Sequence, residues 1–266
     1  MITVLRLAAC SLAIALSWQP IPSYAVSGAW PAPNTAEADA IKKGQGIGVG
    51  SVELLGPPSV TVRSFQTWTL RYTVGHAGLA PGGSFLVGMR HMQLLACKPQ
   101  VNEPKQLGYT SLAGDHAAAL KLDIPSGKVF SIGRFFPWQH IVRATVGETA
   151  LPPGALIDIV LGDTSQGSPG MQVQPFDESH YGFKVYVDAD ASDTYYPLAE
   201  TPTVEIVADS AVALMLTMPS NAVVGKPTWC LARAQDAYGN PATSFRGTVT
   251  LSSGRQHTFT ESDQGV

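Results

Sequence analysis

From Thr67 to Val74 the side chains alternate without a break, with Trp68, Leu70, Tyr72 and Val74 apolar and Thr67, Thr69, Arg71 and Thr73 polar. A period of two sends the two sets to opposite faces of an extended chain and predicts a half-buried antiparallel strand. A long turn containing Gly78, Pro81, Gly82 and Gly83 follows, and then an extended run from Phe85 to Leu95. Further strands are predicted at 117–122, 128–133, 139–146, 155–161 and 182–188. In the last of these, Phe183, Val185 and Val187 alternate with Lys184 and Tyr186. Pro-Ser-Gly at 125–127, Leu-Pro-Pro-Gly at 151–154 and Gly167-Ser168-Pro169-Gly170 interrupt the runs. Short strands separated by such turns point to an antiparallel sandwich. A helical stripe is visible only from Thr35 to Lys43, and it predicts a turn or two at most.

A second set of strands is predicted from Thr201 onward: Val204 to Ala208, Val212 to Met218, Pro227 to Ala234, Gly247 to Ser252 and His257 to Thr260. An immunoglobulin-like sandwich takes about 100 residues and about seven strands, so this set is about two strands short. The expected architecture is all-β. A large antiparallel β-sandwich over 45–200 is followed by an incomplete immunoglobulin-like β-sandwich over 201–266.

The amino terminus has a different pattern. Arg6 precedes an apolar run from Leu7 to Trp18, and Ser23-Tyr24-Ala25 places small residues where signal peptidase reads. The run of about 12 residues is shorter than the roughly 20 needed to span a bilayer, so residues 1–25 predict a signal peptide cleaved after Ala25. Residues 26–44 read as a flexible tail. The expected location is periplasmic or extracellular, with no membrane span once the signal is removed.

Composition agrees with a strand-rich exported protein. Gly 26 and Pro 20 favour turns over long helices, and 45% hydrophobic residues suffice for real cores. A net charge of -3 gives no electrostatic basis for nucleic-acid binding. Loss of the signal removes Cys10 and leaves Cys97 and Cys230, far apart in sequence and expected to be unpaired thiols.

Candidate chemistry is sparse. The six histidines, His76, His91, His116, His140, His180 and His257, fall in no metal-ligand spacing. There is no Gly-x-Ser-x-Gly elbow, and Gly44 to Gly50 lacks the Lys-Ser/Thr of a phosphate loop. The densest polar segment runs from Gly162 to His180, between two apolar runs. Its Asp163, Asp177, Glu178 and His180 are the candidate ligand-contact residues, because carboxylates and an imidazole brought together could hold a metal or move a proton. The alternative is a long connection whose Asp and Ser side chains satisfy their own backbone. Asp188-Ala189-Asp190-Ala191-Ser192-Asp193 resembles the start of a calcium loop, but Asp193 stands where Gly is needed and Ala199 where Glu is needed. Trp68, Trp138, Trp229, Phe135 and Phe136 are candidates for a sugar-stacking platform, against the alternative of core packing.

Three segments carry a resemblance. They are Thr67 to Gly75 with Gly78-Leu79-Ala80-Pro81-Gly82-Gly83, Gly162 to Gly170 with Gln174-Pro175-Phe176, and Ala232 to Pro241. In this order they resemble the amino-terminal region of an exported bacterial family named for domain of unknown function 3604, over roughly residues 45–266. The resemblance implies β-rich amino-terminal regions followed by a PHP-like metal-dependent phosphoesterase domain. Such a domain would hold a divalent metal with a His-rich ligand set. No residue here matches that set, so no catalytic residue is carried over and no cofactor is expected within this chain.

The leading expectation is therefore a non-catalytic β-sandwich front portion of an exported PHP-like hydrolase-family protein of unknown substrate. Its partner would be the missing carboxyl-terminal domain. A stand-alone periplasmic or extracellular binding module for glycan or protein is the alternative. An enzyme using the Asp163 to His180 loop is the third reading.

Overall fold

The computed structural model describes residue 36 and residues 48–90, 97–125, 134–252 and 254–266. The expected signal peptide and most of the tail, the strand at 128–133 and His91 lie outside the described residues. Among the described residues no helix is long and apolar enough to cross a membrane.

The structure is all-β, as the alternation predicts. Among the described residues, fourteen strands precede residue 208: β1 Gly50–Leu55, β2 Ser59–Thr61, β3 Phe65–Gln66, β4 Trp68–Val74, β5 Ser84–Arg90, β6 Thr110–Ala113, β7 Leu120–Asp123, β8 Trp138–Val146, β9 Leu156–Leu161, β10 Met171–Gln172, β11 Glu178–Gly182, β12 Lys184–Asp188, β13 Tyr196–Pro197 and β14 Thr203–Val207. Four more follow: β15 Ala213–Thr217, β16 Leu231–Gln235, β17 Thr248–Thr250 and β18 Gln256–Thr258. The chain divides into two compact units, one containing Ala29–Val207 and the other Ala208–Val266.

The first unit is a sandwich. One sheet has the order β1-β4-β9-β6 and the other β13-β12-β5-β8-β7. Trp68, Leu70, Tyr72 and Val74 of β4 are buried in the main core with Ile157, Ile159 and Leu161 of β9. From the second sheet come Phe85 and Val87 of β5, Val142 and Ala144 of β8, and Val185 and Val187 of β12. The rings of Tyr72 and Phe85 stack across the gap at 4.9 Å between centroids. Burial pushes the Tyr72 phenol well above the ordinary tyrosine range, so it stays neutral while its hydroxyl donates to the Val49 carbonyl.

The other residues of β4 point outward. There Arg71 faces Asp158 of β9 in register and donates to both carboxylate oxygens at 2.9 and 2.8 Å. A bidentate pair between neighbouring strands fixes their alignment as well as their charge balance.

The five-stranded sheet departs from simple alternation. Strand β5 is buried along nearly its whole length, because a second apolar cluster covers the sheet's other face. Leu86, Ile141 and Tyr186 point there, beneath Phe135, Trp138 and Tyr195. A strand covered on both faces reads as a continuous apolar run, as Phe85 to Met89 does. Gly88 is part of this arrangement, since a Cβ there would press on Trp138.

Two departures from the sequence reading bear on the architecture. Residues 117–122 are not one strand: Ala117–Ala119 form a 3-10 turn before β7 begins at Leu120. More consequentially, β14 belongs to the first unit and not to the second. It lies between β11 and β2, antiparallel to one and parallel to the other, and it buries Val204 and Ile206 in the main core. The division therefore falls after Val207, not after 200.

The second unit holds four of the five strands expected of it, as two antiparallel ladders, β15-β16 and β17-β18. Its core includes Ala234, Ala242 and Phe259, with the Phe245 ring edge-on to Phe259 at 5.1 Å.

Candidate functional site: the polar loop and the groove beside it

The segment from Gly162 to His180 starts at the end of β9. Gly162 has φ +71, and a Cβ there would collide with Gln66 O and Met171 N, so glycine is needed twice over. Thr67 Oγ1 donates to the Gly162 carbonyl at 2.7 Å. Asp163 then turns the chain. Its N–H donates to Tyr109 O at 2.8 Å, its Oδ1 accepts the Ser165 N–H at 2.8 Å, and its Oδ2 accepts the Ser111 hydroxyl at 2.6 Å. Burial raises the Asp163 pKa, but the hydrogen bonds from Ser111 and Ser165 outweigh it and hold the carboxyl below its ordinary range. Ser168 is buried and accepts the Gly170 N–H at 3.1 Å. The loop thus satisfies its backbone locally, as Asx and ST turns do.

The other candidate residues are placed separately. Glu178 opens β11, forms an ion pair with Arg90 of β5 and accepts Gln174 Nε2 at 3.1 Å. Asp177 is exposed. His180 is exposed too, with Nδ1 2.9 Å from the neighbouring Ser179 hydroxyl. Asp163 is therefore tied to β6 and Glu178 to β5. Among the described residues, no group of three His, Cys, Asp or Glu side chains is placed to hold a metal.

The aspartate run at 188–193 is also locally tied. Asp188 accepts the N–H groups of Ser192 and Asp193 at 3.0 and 2.9 Å. Asp193 has φ +59 and receives Arg134 Nη1 at 3.0 Å. Burial pushes the Asp188 carboxyl upward, and the neighbouring Asp190 adds to the shift against the two backbone hydrogen bonds.

The aromatic candidates do not form a platform. Trp68, Phe135 and Trp138 are core residues at 1%, 0% and 3% exposure. Phe136 at 57% and Trp229 at 50% are exposed but belong to different units. Neither Cys97 nor Cys230 is in a disulfide, as expected. Cys97 is buried with Sγ 3.0 Å from Met171 Sδ.

Asp236, in the third segment, is buried at 2% exposure at the end of β16. Oδ1 accepts the Tyr238 and Asn240 N–H groups at 2.8 and 2.9 Å, and Oδ2 accepts Asn240 Nδ2 at 2.8 Å and the Asp209 N–H at 3.1 Å. The Gln235 to Pro241 bridge closes the turn.

Among the strands that the sequence reading does not place, β6 bears on the site. Its sequence, Thr-Ser-Leu-Ala, is short and has weak alternation. It forms one edge of the four-stranded sheet, and β7 forms one edge of the five-stranded sheet. Beside them is a groove of about 710 Å³ lined by Tyr109, Ser111, Leu112, Leu120, Leu122 and Asp163 among others. The loop that begins at Asp163 is one wall of it. Gln166 Nε2 reaches Tyr109 Oη at 3.3 Å across that wall.

A scan of protein-family models finds no match to this chain, and a search of curated proteins finds none. Among solved structures, a cohesin module from the family 33 glycoside hydrolase of Clostridium perfringens ATCC13124 is similar at 10% identity. That likeness covers 61% of this chain and 99% of the module, with a TM-score of 0.36.

Proposed function

We propose that this chain is a non-catalytic β-sandwich region of an exported protein, with a structural and docking role. The observation that carries the reading is how the polar loop spends its carboxylates. Asp163 is held by Ser111 and Ser165, and Glu178 by Arg90 and Gln174. A carboxylate whose oxygens accept structural donors is held in position, and here the two fasten the loop to β6 and β5. The sequence resemblance supports a role beside a PHP-like phosphoesterase domain. In that reading the other domain supplies the divalent metal and the chemistry, and this region packs against it or presents it.

The reading is tested with Asp163→Ala and Glu178→Ala in the full chain. Each should lower stability by about 1–2 kcal/mol in urea unfolding, because each leaves hydrogen-bond donors unpaired. Neither should remove a measurable hydrolysis of p-nitrophenyl phosphate, bis(p-nitrophenyl) phosphate or p-nitrophenyl glycosides, with or without added Mn²⁺. Turnover by the wild type that either substitution abolishes while leaving stability unchanged would replace this reading with the enzymatic one.

The binding-module reading has its own support in the groove between β6 and β7, which lies in the size range of ligand sites.

A further inference from the structure

The register identifies which main-chain groups along the groove are spare. Thr110 donates its N–H to Gln100 O at 2.8 Å, on the side of β6 away from β9. Peptide groups alternate in direction along a strand, so Leu112 also turns its N–H and C=O away from β9. On the other rim, Val146 of β8 exchanges hydrogen bonds with Gly82 and Gly83 next to β5. Its register partner Leu120, and with it Leu122, therefore direct their peptide groups away from β8. Among the described residues, the segment carrying Gln100 meets the start of β6 through the Gln100–Tyr109 bridge and the Thr110 hydrogen bond, and no bridge follows along the strand. Beyond that point, Leu112 and Leu122 present strand-spaced donors and acceptors to the groove from two edges.

Side chains complete the arrangement. Leu112, Leu120 and Leu122 are half-buried and pack against the main core, giving an apolar floor. Asp163 is the one charged side chain among the lining residues. Its carboxylate is already fixed by Ser111 and Ser165, and two accepted bonds leave further acceptor positions on its oxygens.

We infer that this groove takes an extended peptide as an added strand, with a basic side chain of that peptide against Asp163. Main-chain pairing supplies affinity, and alternate side chains on the leucine floor supply selectivity. An anionic wall pairs with Lys or Arg and disfavours an acidic peptide. An oligosaccharide is the poorer fit, because it stacks on exposed aromatic faces and Trp68, Phe135 and Trp138 are buried in the cores. The inference goes beyond the structural role proposed above and does not depend on it.

The test selects binders from a display library of random decapeptides on the full chain, and then follows amide exchange with a selected synthetic peptide. Selected sequences should alternate apolar and polar residues around a Lys or Arg, and they should slow exchange at Leu112 and Leu122. The Leu122→Lys variant, whose charge sits on the floor, should bind roughly tenfold more weakly or less still. N-methylation of the peptide at every second residue should abolish binding to the wild type in one parity and spare it in the other, a result independent of any variant's folding. Four results would overturn the inference. They are no enrichment, equal sensitivity to both N-methyl parities, Leu112 and Leu122 amides as protected in the free chain as those of β5, and chitohexaose or cellohexaose slowing the same amides where peptides do not.

Discussion

Replacing Asp236 by Ala is expected to unfold the second unit. The buried carboxylate accepts four hydrogen bonds from Tyr238, Asn240 and Asp209, and alanine leaves those donors without an acceptor. Hydrogen bonds to charged groups are worth about 1.5–3 kcal/mol each, and a lost buried network sums to at least about 3 kcal/mol. A unit of this size has little stability to lose. Exchange of the Ala234 and Ala242 amides, which donate to Gly265 O and Ala234 O, should accelerate by roughly two orders of magnitude or more.

The same site has a pH signature. Burial raises the Asp236 pKa, but the hydrogen bonds from Asn240, Tyr238 and Asp209 more than offset it, and the net shift is downward from 3.8. A group with a depressed folded pKa contributes stability above its unfolded pKa and loses it as pH falls through the folded one. Exchange from the second unit should therefore accelerate below about pH 4. Asp236→Asn should flatten that acid limb, and an unchanged limb would show that another group causes it.

Phe85→Ala should cost the first unit about 3–5 kcal/mol, the range for deleting a buried aromatic ring. Phe85 lies between the sheets at 1% exposure, stacked on Tyr72. In a domain of this size the melting temperature should fall by roughly 10 °C. Phe136→Ala is the matched control. Its side chain is 57% exposed and its removal should change stability by less than about 0.5 kcal/mol. A comparable loss at both positions would contradict the core assignment.

What was legible in the sequence followed from sterics that repeat along the chain. Strand β4 alternates because one of its faces meets the core and the other carries Arg71, and its period appears directly in the residues. Tyr186 was less legible. Next to Lys184 it reads as the outer face of a strand, yet Phe135 and Tyr195 cover it, with ring centroids 4.9 Å from Phe135 to Tyr186. That cover comes from outside the strand, from Phe135 about 50 residues earlier and from Tyr195 just beyond the turn at 188–193, and no local period encodes it. Strand β14 was assigned to the wrong unit for a related reason. Its alternation is plain, but its parallel partner β2 lies some 140 residues earlier. In the polar loop, the residue types were visible and their destinations were not. Asp163 meets Ser111, and Glu178 meets Arg90, through pairings that only the assembled sheets create. The groove beside β6 was invisible because it depends on which strands end up at sheet edges.

A double-mutant cycle on Ser111→Ala and Asp163→Ala measures most directly whether the loop carboxylate is a structural group. With unfolding by urea followed in the single and double variants, a coupling of about 1 kcal/mol is expected, because the two side chains share one charge-assisted hydrogen bond. Additive losses, with coupling within about 0.3 kcal/mol, would mean that Asp163 does not fasten the loop to β6 and would contradict the structural role.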